Sequence, residues 1–349
     1  MKKSIHSFKN LTLALITLLS VSKISAQEAT PASTTFAGSV DLYYKYDFSG
    51  LDNSKTSFTK SHDSFELGMA SIEASHKSGK AAVFVDLGFG NRAKEFSYND
   101  PTTTFMVKQL FVTYDFTPSI KVTAGSFGTH LGYELLDAVD NKNYSMSYAF
   151  TNGPFFNTGV KAQYTKGKYS FMAGITNPTD FKSATEAGSH QKTVIGQVAY
   201  TVDSGSAYFN FTSGSSNPSS SSNKTQVDFV GTKKVSNKLT LGINGTYAMI
   251  SDDVTSDDDT SWFSVVGYAS YTLKKNWSLA YRTEYFDDKE GYLGIGSSVF
   301  ANTVSFNYKE GNFTFIPEFR LDTASKDIFS DGSPKKISAY VVLATTYSF

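Results

Sequence analysis

The sequence predicts an all-β fold: a transmembrane antiparallel β-barrel of about 16 strands, with short turns at one end and long loops at the other. Three observations lead there. Apolar and polar residues alternate with period two in segment after segment, short and long connections take strict turns along the chain, and an export leader precedes the first strand.

Composition sets the frame. With 349 residues, the chain is long enough for one large all-β domain. Phe (29), Tyr (21) and Gly (26) are abundant, whereas Pro (8) is sparse, as a sheet requires, because each proline removes a ladder donor. Cysteine is absent, which excludes a disulfide framework, a cysteine zinc site and a thiol nucleophile. Basic and acidic residues balance over the whole chain. Without Lys2, Lys3, Lys9 and Lys23 of the leader, acidic residues outnumber basic ones by four, so nothing electrostatic points to nucleic acid.

The leader has three parts. Met1–Asn10 is basic, Leu11–Val21 is apolar, and Ile24-Ser25-Ala26 ends in the small residue that a signal peptidase needs. Cleavage is expected after Ala26, leaving residues 27–349 as one barrel domain. The apolar run is shorter than the roughly 20 residues of a spanning helix, and no later segment reaches that length. A barrel in the outer membrane of a Gram-negative cell follows as the expected location.

The strands alternate. In Ser39–Phe48, Val40, Leu42, Tyr44, Tyr46 and Phe48 share one face, and Asp41, Tyr43, Lys45 and Asp47 the other. Ile337, Ala339, Val341, Leu343, Thr345, Tyr347 and Phe349 share a face at the far end. Trp277, Leu279, Tyr281 and Tyr285 oppose Arg282 and Glu284, and Phe313, Phe315, Phe319 and Leu321 oppose Glu318 and Arg320. Lipid outside and water inside impose this pattern.

Tight turns are expected near Ser78-Gly79, Thr117–Ser119, Lys166–Lys168, Asp203–Gly205, Ser236-Asn237, Lys274–Asn276 and Glu310–Asn312. Long polar connections fall at Ser49–Asp63, Gly90–Thr103, Phe127–Phe155, Asn177–Gln191, Ser213–Lys224, Ser251–Thr260, Asp287–Ser298 and Thr323–Lys335. Seven short and eight long connections join 16 strands, and the even count puts both termini on the periplasmic side. Tyr44, Tyr46, Phe48, Trp262, Trp277, Tyr347 and Phe349 suit interfacial girdles. Tyr347 and the terminal Phe349 also resemble the signal read by the barrel assembly machinery.

Phe127–Phe155 departs from the pattern. Leu131, Leu135, Leu136 and Val139 have helical spacing, and Glu134, Asp137 and Asp140 fall together, so a short amphipathic helix is expected there. A loop with its own apolar face is expected to fold into the lumen and pack on the barrel wall.

Within this region Gly125-Ser126-Phe127-Gly128-Thr129, Gly132-Tyr133-Glu134, Asp140-Asn141-Lys142-Asn143-Tyr144-Ser145 and Thr158-Gly159-Val160 follow one another. The run resembles the β-barrel porin-2 family, with Asn157 where that family often carries His. The motif covers about 35 residues, and leader, strand pattern and terminal Phe extend the likeness over nearly the whole chain. The resemblance implies a porin-like barrel of the outer membrane and leaves the solute undefined.

Such a loop would narrow the lumen. Glu134, Asp137 and Asp140 would put negative charge at the constriction, opposite Lys161, Arg282 and Arg320, and opposed charges set the field in a water-filled eyelet. Alternatively, these residues satisfy one another and fix the loop.

Other chemistries find little support. His6 lies in the leader, and His62, His76, His130 and His190 are scattered, so neither a histidine metal site nor a Ser-His hydrolase is expected. Gly88–Ala93 matches a dinucleotide fingerprint but ends an antiparallel strand. Asp252, Asp253, Asp257, Asp258 and Asp259 lack the spacing of a calcium loop and read as a solvated tip. No cofactor is expected. The favoured function is passive diffusion of ions or small hydrophilic solutes through a monomeric or trimeric pore, in contact with lipid and lipopolysaccharide. The other reading is a non-conducting barrel that binds or adheres through its outer loops, which apolar plugging of the lumen would favour.

Overall fold

The computed structural model describes residues 32–100, 106–184, 191–215, 222–251 and 259–349. The leader, Ser219–Ser221, His190 and Asp252–Asp258 lie outside them. Sixteen strands form one closed antiparallel barrel. The first eight are β1 (Ser33–Asp47), β2 (Ser64–Ser78), β3 (Ala81–Phe89), β4 (Val107–Thr117), β5 (Ile120–Gly128), β6 (Phe156–Lys166), β7 (Tyr169–Thr176) and β8 (Thr193–Val202). The rest are β9 (Gly205–Ser215), β10 (Asn223–Lys234), β11 (Leu239–Ser251), β12 (Thr260–Lys274), β13 (Trp277–Asp287), β14 (Ser298–Glu310), β15 (Phe313–Ala324) and β16 (Ile337–Ser348). Each strand pairs with its neighbours in sequence, and β16 pairs with β1 to close the ring. The expected seven short and eight long connections are the observed ones, each within a few residues. The last long connection carries a small hairpin, Phe329–Ser330 against Pro334–Lys335.

Alternation sorts the faces as expected. On β1, Val40, Leu42, Tyr46 and Phe48 point outward, and Asp41, Lys45 and Asp47 are buried inside. Ile337, Leu343 and Tyr347 point outward from β16. The seam where the chain meets itself is specific. Gly38 N and O both bond to the Phe349 backbone at 3.0 Å, and the Phe349 ring lies across the Gly38 Cα. A β-carbon at position 38 would strike that ring and approach the Ser71 carbonyl to 2.7 Å.

Two expectations are corrected here. Trp262 is no girdle residue. It is buried inside the barrel, because the outward position beside it belongs to Phe263. The interior is not uniformly aqueous either. Tyr148 stacks on Phe286 at 5.0 Å, with Trp262 and Val299 around them. Tyr340, Val342 and Ala344 of β16 pack with Tyr43, Tyr144 and Ile316. A third cluster joins Phe58, Phe96, Met146, Phe150, Phe155 and Phe156. What fills the lumen is the long connection after β5, residues 129–155, with help from the helix α1 (Asn91–Phe96) after β3. That helix follows Gly88–Gly90, but β3 pairs antiparallel on both sides, so the dinucleotide match has no parallel unit to sit in.

Candidate functional site

The 129–155 connection crosses the lumen, and buried wall side chains hold it there. The expected amphipathic helix is absent. The segment contains one 3-10 turn, Ala138–Asp140, and one short helix, α2 (Tyr148–Asn152). Gly132 takes φ +87, outside helical space. Leu135 exchanges two hydrogen bonds with the Asn141 amide, at 3.0 and 2.6 Å, and the Leu136 carbonyl accepts from Arg92 Nη1 at 3.1 Å. Those contacts take the backbone groups a helix would use. Leu131 is buried, while Leu135 is 55% exposed, so the leucines share no face.

The acids diverge in the same way. Glu134 faces β13 and meets Arg282 Nη1 at 2.5 Å. It also accepts from the Ser147 amide and hydroxyl at 2.8 and 2.6 Å. Asp137 faces the other wall. Lys108 Nζ of β4 donates to it at 2.7 Å and holds Asp86 at 2.9 Å, and Ser71 adds 2.6 Å. Asp140 stays exposed, at the edge of a cavity on the short-turn side of the loop. Arg282 also donates to the Ser145 carbonyl, and to Thr303 at 3.1 Å. Arg320 pairs with Asp322 of its own strand at 2.7 Å and donates to the Met146 carbonyl at 2.6 Å. Lys161 lies over the Phe127 ring at 4.0 Å rather than against an acid. Five of the six expected charges thus sit at or beside the crossing loop, with four of them locked in close contacts, and Lys161 stands apart from them.

Residues that the sequence did not single out do much of the holding. Glu318 of β15 accepts from the Tyr144 and Ser145 amides at 2.7 and 3.0 Å and from Ser305 at 2.6 Å. Glu284 of β13 repeats the arrangement on the first turn of α2, accepting from Tyr148 and Ala149 at 2.8 Å each and from Ser264 at 2.7 Å. A carboxylate straddling two consecutive amides satisfies donors that burial would otherwise orphan, and at a helix start it also meets the positive end of the helix dipole. Arg92 of α1 lies over the Tyr144 and Phe58 rings at 5.1 and 4.7 Å, and the Tyr144 hydroxyl donates to Asp41 at 2.5 Å. Alternation predicts that Glu284 and Glu318 point inward. It carries no signal for what they touch.

The family motif residues fall into place around these clamps. Tyr133 stacks on Tyr268 of β12 with ring centres 4.0 Å apart. Asn143 donates to Ser305 at 2.7 Å, and Gly132 N donates to Asp228 of β10 at 3.1 Å. Asn143 through Phe150 form an unbroken buried run.

At the long-loop end, Asp180 ties the next connection to this one. Its carboxylate accepts from the Phe155 and Phe156 amides at 2.6 and 3.0 Å and from the Tyr98 hydroxyl at 3.0 Å. Burial is the largest influence on it and raises its pKa to about 6, although those donors pull the other way. Burial and the neighbouring Asp180 carboxylate raise the Tyr98 phenol as well.

Two vestibules flank the crossing loop. One, about 530 Å³, lies toward the short turns and is lined by Tyr133, Gln197, Tyr208, Asn210, Thr232 and Tyr268, among others. The other, about 380 Å³, lies toward the long loops, between Lys60, Glu95, Tyr98, Asp180, Lys224 and Tyr292. Both linings mix aromatic and aliphatic surface with hydroxyl, amide or charged groups.

A closed 16-strand antiparallel barrel with an apolar outer face, short turns at one end and a loop folded into the lumen has the architecture of outer-membrane porins, and this protein is an outer-membrane porin. The family model described as "Putative beta-barrel porin-2, OmpL-like" matches residues 33–349. The chain belongs to that family. No curated protein sequence matches it. Among solved structures it is similar to the anion-selective porin from Comamonas acidovorans, at 11% identity over 91% of this chain and 100% of that one, TM-score 0.61. The outer-membrane channel DcaP of Acinetobacter baumannii aligns at 14% identity over 91% and 97%, TM-score 0.59. OmpT of Vibrio cholerae in its trimer form aligns at 11% identity over 92% and 100%, TM-score 0.62. At these identities the likeness concerns the fold.

Proposed function

We propose that this porin passes small hydrophilic solutes or ions by passive diffusion between the two vestibules, with the 129–155 connection as the element that narrows the route. The observation that carries this reading is the pair of cavities, about 530 and 380 Å³, on either side of one loop inside a closed barrel. No chemical step is involved. Solute size and the loop's position decide passage. Glu134, Asp137, Arg282 and Arg320 act in this reading mainly by holding the loop at the constriction, and Asp140 contributes charge at its lower rim.

Three further elements belong to the same reading. The leader is removed after Ala26, and the match of the family model from residue 33 onward supports this. Tyr347 and Phe349 present the last strand to the assembly machinery, supported by their outward exposure at the closing seam. Three copies assemble with lipid and lipopolysaccharide around them, supported by the trimer form of a protein with the same fold.

Single-channel recording of the refolded mature protein in a planar bilayer tests the function. Stable ohmic steps are expected. A protein shown to be folded that gives no steps would refute diffusion and leave a binding or adhesion barrel.

A further inference from the structure

The crossing loop is held unevenly, and small cavities lie along the weakly held side. Toward β1–β4 and β12–β15 its contacts are charged and multiple: Lys108 on Asp137, Arg282 on Glu134, and Glu284 and Glu318 on paired amides. Toward β8–β11 they are few. Gly132 N reaches Asp228 at 3.1 Å, and His130 contacts the Phe211 carbonyl at 3.0 Å and Gln197 at 3.3 Å.

Two small cavities of about 10 Å³ each lie along this second side. The upper one shares Thr179 and Lys224 with the vestibule on the long-loop side. The two small cavities share Pro154 and Gln226, and the lower one shares Gly132 with the vestibule on the short-turn side. The four cavities therefore adjoin one another in series along this wall. Thr193 Oγ1, Thr212 Oγ1 and Gln226 Oε1 are buried along this strip without a protein hydrogen-bond partner, and so are Arg320 Nη2, Asn307 Oδ1 and the Tyr340 hydroxyl on the clamped side, so it is the cavities that mark the path. A cavity of this size holds about one water.

We propose that the permeation path crosses the loop along the β8–β11 wall, past Thr193, Thr212 and Gln226, and that the side bearing Arg282, Arg320 and Glu318 stays closed. The inference rests on the diffusion reading above. In the described state each small cavity has room for about one water. A larger solute requires the loop edge at Leu131–Gly132 and Gly153–Pro154 to move off Gln226, a displacement that breaks the Gly132 hydrogen bond to Asp228 and the contact of Lys224 on the Asn152 carbonyl, and leaves the Lys108, Arg282, Glu284 and Glu318 clamps in place. The solutes it suits are small and hydrophilic, able to exchange hydration for hydroxyl and amide groups.

The chain has no cysteine, so single introduced thiols report without background. The test compares Gln226→Cys with Ser305→Cys, a buried position between Asn143 and Glu318 on the clamped side. Each variant is recorded in a planar bilayer before and after a charged, water-soluble methanethiosulfonate reagent, with folding checked by heat-modifiable electrophoretic mobility. The expected result is that the reagent cuts the Gln226→Cys conductance at least twofold and leaves Ser305→Cys unchanged. Thr212→Cys serves as the second variant if Gln226→Cys does not fold. Conducting channels in which the thiols on the β8–β11 wall do not respond, or in which Ser305→Cys is blocked, would overturn the proposed path while leaving the porin intact. Folded protein without conductance would overturn both.

Discussion

Glu284 and Glu318 show how one residue type serves a barrel lumen. Each is a buried carboxylate, which is costly alone, and each meets two loop amides and a wall serine that satisfy it. Removing the carboxylate reverses the benefit, because the two amides are then buried without a partner. Glu284→Ala is expected to weaken docking of the loop by about 3 kcal/mol, to raise mean conductance and to expose the 129–155 connection to protease, while the barrel keeps its electrophoretic mobility. Unchanged conductance together with unchanged proteolysis would show that the clamp is dispensable. The inward direction of both glutamates is legible in the sequence from alternation with Tyr285 and Phe319. Their loop partners are not, because those lie 135 to 174 positions away in the chain.

At the scale of elements, strands and loops differ in what decides them. A strand's faces follow from period two and from having lipid on one side, so β1 and β16 carry the residues outward that alternation assigns. Trp262 is the exception among the girdle residues, since aromatic identity suggested an interface and strand parity placed it inside. The loop obeys no such local rule. Its leucines have helical spacing, yet Asn141, Arg92 and the wall carboxylates compete for its backbone and win. The seam between β1 and β16 is the element on which closure depends, and it hinges on a missing side chain. Gly38→Val places carbon against the Phe349 ring and the Ser71 carbonyl. The expected outcome is a severalfold lower yield of heat-modifiable, folded barrel on refolding, with Gly38→Ala intermediate. Wild-type yield from Gly38→Val would mean that the seam relaxes at no cost.

For the whole molecule, closure removes every exposed edge, which explains how an exported chain without a disulfide holds together in lipid. The proposed maturation and assembly are read by one measurement, native mass spectrometry of the protein extracted from the outer membrane. A mass of three chains, each beginning at Gln27, is expected. A single chain would remove the trimer, and a retained leader would remove cleavage after Ala26. The barrel, its strand number, its connections and its location were legible from the sequence alone, because each follows from a short-range pattern repeated many times and from the solvent on either side. The family motif likewise marked the loop that enters the lumen. Only the tertiary structure decided where that loop's charges go, since Glu134 and Asp137 lie three residues apart yet bind opposite walls. It alone also distinguished the side of the lumen where charged contacts clamp the loop from the side where small cavities adjoin it, because that distinction depends on which distant strands curve round to meet the loop.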